Sequence, residues 1–172
     1  MKKPDKLIAE VLAAAGGEVV GRIRFQKMFY LLDQEGMRSG LAFRYHHYGP
    51  YSRELDTALD RAQAMQGVQE TIAYRQIDGM PYSTFSLRGG PPTGVLSNVG
   101  ELPAEVASDL IRKMTGKSST VLELAATIHW LTKVERVADW KKELVRRKGV
   151  KTERGRMDEA VDLLRSLDLL SD

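Results

Sequence analysis

Apolar positions recur along this chain at two spacings, and the switches between them mark out its elements. Leu7, Ile8, Val11, Leu12 and Ala15 share one face of a helix near Asp5–Ala15, which stops at Gly16-Gly17. Phe25, Met28, Phe29 and Leu32 fall at i, i+3, i+4 and i+7, which predicts a second helix over Arg22–Glu35, with Arg24 and Lys27 beside the stripe. Leu41–Tyr48 is rich in aromatics and predicts a strand. Pro50 fixes its own φ and biases Gly49 away from the helical region, so the chain turns a corner there. Ser52 then caps a third helix, which has Glu54 in its first turn and buries Leu55, Ala58, Leu59, Ala62 and Met65.

Gln69–Tyr74 and Tyr82–Leu87 predict a β-hairpin around Asp78-Gly79. Glycine and proline dominate Arg88–Pro103, which predicts a linker. Helical spacing returns near Pro103–Met114, Ser118–Leu131, Val137–Arg147 and Glu153–Leu169, the last stacking Met157, Ala160, Val161, Leu164 and Leu167. The expected fold is α+β, mainly α. A helix-helix-strand-helix-β-hairpin core occupies 1–88, a Gly/Pro-rich loop 89–102, and a helical part packed on the core 103–172.

Composition narrows this reading. The 172 residues suffice for a real core. The absence of cysteine excludes disulfides, thiolate metal sites and cysteine nucleophiles, and suits a cytoplasmic protein. Lys2, Lys3 and Lys6 before an apolar stretch imitate a secretory leader, but Asp5 and Glu10 interrupt it, and an amphipathic helix fits better. No run approaches the ~18 apolar residues of a membrane span. The net charge is only +3, yet eight basic residues crowd Lys141–Arg156 against Glu143 and Glu153. Such a run suits nucleic acid, an acidic partner, or simply a solvated helix end.

Chemistry-bearing motifs are scarce. His46 and His47 point to opposite faces of a strand and so do not share one metal. Gly116-Lys117-Ser118 imitates the end of a phosphate-binding loop, but Ile111 stands where its first glycine belongs. Asp56 and Asp60, among Arg53 and Arg61, read as a charged helix face. No catalytic residue, metal ligand or cofactor site is therefore expected, nor an enzyme. The order of elements approximates a winged helix, but the exposed face of the third helix nets −1 and suits phosphates poorly. A nucleic-acid-binding regulator would have to use Lys141–Arg156 instead. Tyr45, Tyr48 and Tyr51 flank the corner, where aromatic residues serve either recognition or packing.

Two segments carry a family resemblance. Phe25-Gln26-Lys27-Met28-Phe29-Tyr30, followed by an aromatic strand closing on Tyr48-Gly49-Pro50-Tyr51-Ser52, resembles the Panacea-domain family of SocA-like antitoxins and their YwgA-like relatives. Leu124–His129 followed by Trp140 is similar to a later block of that family. The resemblance implies an α+β scaffold of prokaryotic or phage toxin–antitoxin systems that neutralises a toxin or delivers it to a protease. It makes Gln26, Lys27, Tyr30, Gly49, Pro50 and Ser52 a structural signature. The expected function is a cytoplasmic protein-binding module, an antitoxin or adaptor. Its expected contacts are Tyr48, Tyr51, Arg53, Lys141, Arg146 and Arg147.

Overall fold

A computed structural model of the chain describes residues 2–92 and 94–171. Helix α1 (Pro4–Ala14) and strand β1 (Glu18–Val20) lead into α2 (Arg22–Gln34). A small hairpin of β2 (Arg44–His46) and β3 (Gly49–Tyr51) precedes α3 (Arg53–Met65), and a longer hairpin of β4 (Val68–Tyr74) and β5 (Pro81–Leu87) follows it. The short strands β6 (Asn98–Val99) and β7 (Leu102–Pro103) introduce the helical half. That half comprises α4 (Ala104–Thr115), α5 (Ser119–His129), α6 (Trp140–Lys148) and α7 (Arg156–Ser166). The fold is α+β and mainly α.

The main sheet is antiparallel in the order β1-β5-β4, with Val19 opposite Phe85 and Glu70 opposite Phe85 on its other side. Helix α5 is the centre of the molecule. Every residue from Val121 to His129 is buried, and α2, α7, α6 and β3 pack around it. On the other side α1 lies against α3 and α4. The buried apolar side chains form one continuous cluster across both halves of the chain.

Several elements depart from their sequence patterns. The strand expected over Leu41–Tyr48 shrinks to Arg44–His46, because the chain reverses at His47-Tyr48 and pairs His46 with Gly49. Met65 has the right spacing for burial but lies at the end of α3, 71% exposed. The glycine-rich stretch after Arg88 is anchored at its far end, with Val99 and Leu102 buried. Gly100 has φ +58, and a Cβ there would lie 2.3 Å from the Met37 carbonyl oxygen, so only glycine fits the β6–β7 turn against the end of α2. The helix expected to run to Leu131 widens into a π-helical turn over Trp130–Val134.

Candidate functional site

The Gly49-Pro50 corner is fixed from two directions. Successive residues of α2 hold its backbone. Gln26 accepts a hydrogen bond from the Ser52 amide (2.9 Å) and donates one to the Ser52 carbonyl (2.8 Å). Lys27 donates to the Pro50 carbonyl at 2.6 Å. Behind the corner stands α5, whose Thr127 hydroxyl would lie 2.7 Å from a Cβ at Gly49. Gly49 also has φ +88, so both the backbone and the space demand glycine. One turn further along α2, the Tyr30 hydroxyl and His129 Nδ1 share a 2.7 Å hydrogen bond. Burial, with a smaller push from Lys133, lowers the His129 pKa to about 4 and keeps the ring neutral at neutral pH. The residues that carry the family resemblance thus converge on one corner, each with a physical task. Ser52 completes the set by capping α3 at the Leu55 amide.

A buried ion cluster lies beneath the corner. Glu123 of α5 meets the Lys148 ammonium at 3.1 Å and that of Lys151 at 3.0 Å. Lys148 also donates to the His47 carbonyl at 3.0 Å. Burial pulls the Lys27 pKa down to about 8; the Glu123 charge opposes that shift, and Lys148 and Lys151 reinforce it. The sequence reading missed Glu123, although a lone acid inside the apolar run Val121–Ile128 is itself a signal. A carboxylate at a core position requires a counter-charge.

On the surface this arrangement joins two groups that are far apart in sequence. Tyr45 stacks under the Arg147 guanidinium (4.8 Å) with Trp130 beside it at 6.2 Å. The Lys151 ammonium sits over Tyr48 at 4.7 Å, and Tyr48 is 52% exposed. A shallow cavity of 560 Å³ opens between the hairpin and α6, lined by Tyr45, His46, His47, Arg146 and Arg147. The structure therefore brings Tyr48, Arg146 and Arg147 into one neighbourhood. Tyr51 joins through ring contact with His46 at 4.9 Å and donates to Asp56. Arg53 lies exposed in the first turn of α3, and Lys141 rests over Trp140; neither lines the cavity.

The basic run is less available than its sequence suggests. Arg147 is held by Glu135 (2.7 Å) and Glu143 (3.2 Å), which raise its pKa. Arg146 pairs with Glu143 and, with Arg147, holds that carboxyl at a pKa of about 2. Lys148 and Lys151 are bound to Glu123, and Arg156 donates to the Lys151 and Val150 carbonyls. Four of the eight basic residues in the run thus meet carboxylates, and two of those acids, Glu123 and Glu135, lie outside it.

No family model matches the chain. A DNA ADP-ribosyl glycohydrolase of Thermus aquaticus is 29% identical over 135 residues, which amounts to 75% of this chain and 35% of that protein. The chain thus spans about a third of the length of that relative. The relative is named for an enzymatic activity, and this overturns the expectation that the chain is not an enzyme. That expectation rested on missing motifs, and glycoside hydrolysis is poorly suited to such a test. Side chains that act together in catalysis are brought together by folding and need leave no fixed pattern in a sequence. Among the described residues no helix is long and apolar enough to cross a membrane.

Proposed function

We propose that the chain is a cytoplasmic, antitoxin-like protein-binding module that works alongside the removal of ADP-ribose from DNA. The observation that carries this reading is the match to about a third of a DNA ADP-ribosyl glycohydrolase. A glycohydrolase reverses a modification that a transferase has made. The partner that fits an antitoxin-like module in this setting is therefore the DNA-modifying ADP-ribosyltransferase. The corner supports the reading physically. It presents Tyr45 and Tyr48 on a backbone held by Gln26 and Lys27, and rigid aromatic groups on a fixed frame favour protein contact at low entropic cost. The test is co-expression with a DNA ADP-ribosyltransferase encoded in the same genome. Growth rescue with a stoichiometric complex in gel filtration is expected. A toxic transferase that is neither rescued nor bound would overturn the reading.

A second reading has the same corner engage ADP-ribosylated DNA as part of the hydrolysis itself. Aromatic rings interleaved with Arg147 and Lys151 favour it, as does the relative's name. It requires release of ADP-ribose from modified DNA by this chain, together with binding that weakens steeply as salt rises. Failure on both counts removes it.

A further inference from the structure

A larger concave surface than the one beside the corner lies between the β4–β5 hairpin and the first turn of α2. It is an open cleft of 1290 Å³ whose lining is more apolar than polar. Its apolar wall follows from the two-residue period of a strand. Val68, Glu70, Ile72 and Tyr74 share one face of β4, and that face buries Val68 together with Phe85 of β5. The hairpin then continues past the core. Ile72 and Tyr74 carry the core-facing side outward with no core beneath them and are 59% and 68% exposed. Met80, just before β5, is also exposed, while Tyr82 pairs with Ala73 and stands on the opposite face. Such concentration marks a contact surface.

Two arginines of α2 line this cleft and differ in one respect. Arg22 is answered by Glu70 at 3.0 Å and Asp56 at 3.5 Å, and its guanidinium lies over Phe85 at 5.3 Å. Arg24 is half-buried and, among the described residues, donates only to the Thr115 carbonyl at 3.2 Å. Its Nε is buried without a hydrogen-bond partner, and no carboxylate of the described residues pairs with it. Burial alone acts on Arg24 and lowers its pKa. A desolvated cation without a counter-charge is costly, and an anion supplied from outside removes that cost.

We propose that this cleft receives an extended acidic-apolar segment of the partner protein, with a carboxylate on Arg24 and apolar side chains against Ile72 and Tyr74. This deepens the protein-binding reading above, on which it rests, by giving the partner a second point of attachment. The charges favour a protein over a nucleic acid. Glu18 and Glu70 also line the cleft, and its other arginines, Arg22 and Arg75, are paired with Glu70 and Asp78, so a chain of phosphates would meet two carboxylates and one uncompensated arginine. A single acid among apolar residues meets no such conflict, and an elongated segment matches the line of exposed residues along the hairpin.

The test uses the full chain, the same DNA ADP-ribosyltransferase, and Arg24→Glu and Ile72→Asp variants whose folding is checked by circular dichroism. Calorimetric titration should show each variant binding at least about tenfold more weakly than the unmodified chain. Hydrogen exchange should show β4, β5 and the start of α2 protected in the complex, and unchanged when a single-stranded oligonucleotide is added instead. Equal binding by the unmodified chain and both folded variants overturns the cleft proposal and leaves the protein-binding reading standing. Protection of the cleft by the oligonucleotide alone assigns it to nucleic acid and also overturns the proposal. Absence of any binding by the unmodified chain removes both.

Discussion

The Gly49-Pro50 corner and the β4–β5 cleft both set aromatic side chains beside basic ones, yet they treat charge in opposite ways. At the corner Arg146, Arg147, Lys148 and Lys151 each meet a carboxylate of the same molecule. In the cleft Arg22 is compensated in the same manner, while Arg24, two residues along the helix, is not. Half of the basic residues in the densest run are therefore paired with carboxylates, whereas Arg24, within a helix, is a half-buried cation that no carboxylate of the described residues meets. What matters for recognition is the charge left over after folding.

The sharpest way to break this contrast is to take the answering charge away from the corner. Glu123→Gln leaves Lys27 and Lys148 buried without a nearby carboxylate. It should cost about 3–5 kcal/mol in urea denaturation, the penalty typical of breaking a buried ion pair. A loss below 1 kcal/mol (roughly that of an exposed pair) would mean that the cluster is hydrated and the contrast overstated.

The next test is one of pH. His129 stays neutral in the folded protein down to about pH 4, whereas the unfolded chain takes up a proton near pH 6.5. The unfolded state thus binds more protons between these values, and stability should fall as pH drops through that window. The slope reaches about 1.4 kcal/mol per pH unit for one group. His129→Gln should flatten the His129 share of this slope in denaturation curves recorded across the window, while the cleft variants should leave it intact.

The smallest effect separates the two arginines. Replacing Arg22 with leucine leaves Glu70 without its main partner and should cost roughly 1 kcal/mol. Replacing Arg24 with leucine removes an unpaired, half-buried cation and should be neutral or stabilising by up to about 1 kcal/mol in thermal denaturation. Equal losses at the two positions would mean that Arg24 has a counter-charge after all.

The sequence carried the helices well, because their apolar stripes repeat over several turns and the caps at Ser52 and Ser118 are explicit. It carried β1 poorly: three residues give no measurable period, and Val19 becomes a strand residue only because Phe85 lies opposite. The signature at Gln26, Lys27 and Gly49-Pro50 was legible as a pattern, but its meaning was not. Hydrogen bonds from α2 to the corner join positions with no local relation to one another. Among the expected contact residues, Tyr48 and Arg147 were readable as types, while their meeting depends on where α5 places α6. The cleft escaped notice because Ile72 and Tyr74 look like ordinary strand residues until the hairpin is seen to outrun the core.

The late position of Glu123 also bears on how the protein is made. Lys27 and the corner emerge from the ribosome long before the acid that balances them, and the apolar face of α2 waits with them for α5 to arrive. Contacts that span so much chain slow folding and leave early segments exposed to wrong pairings. A nascent chain stalled within 89–102 should accordingly be a client for chaperones and proteases. The arrival of α5, and not an early folding event, would then mark the moment at which this part of the molecule becomes durable.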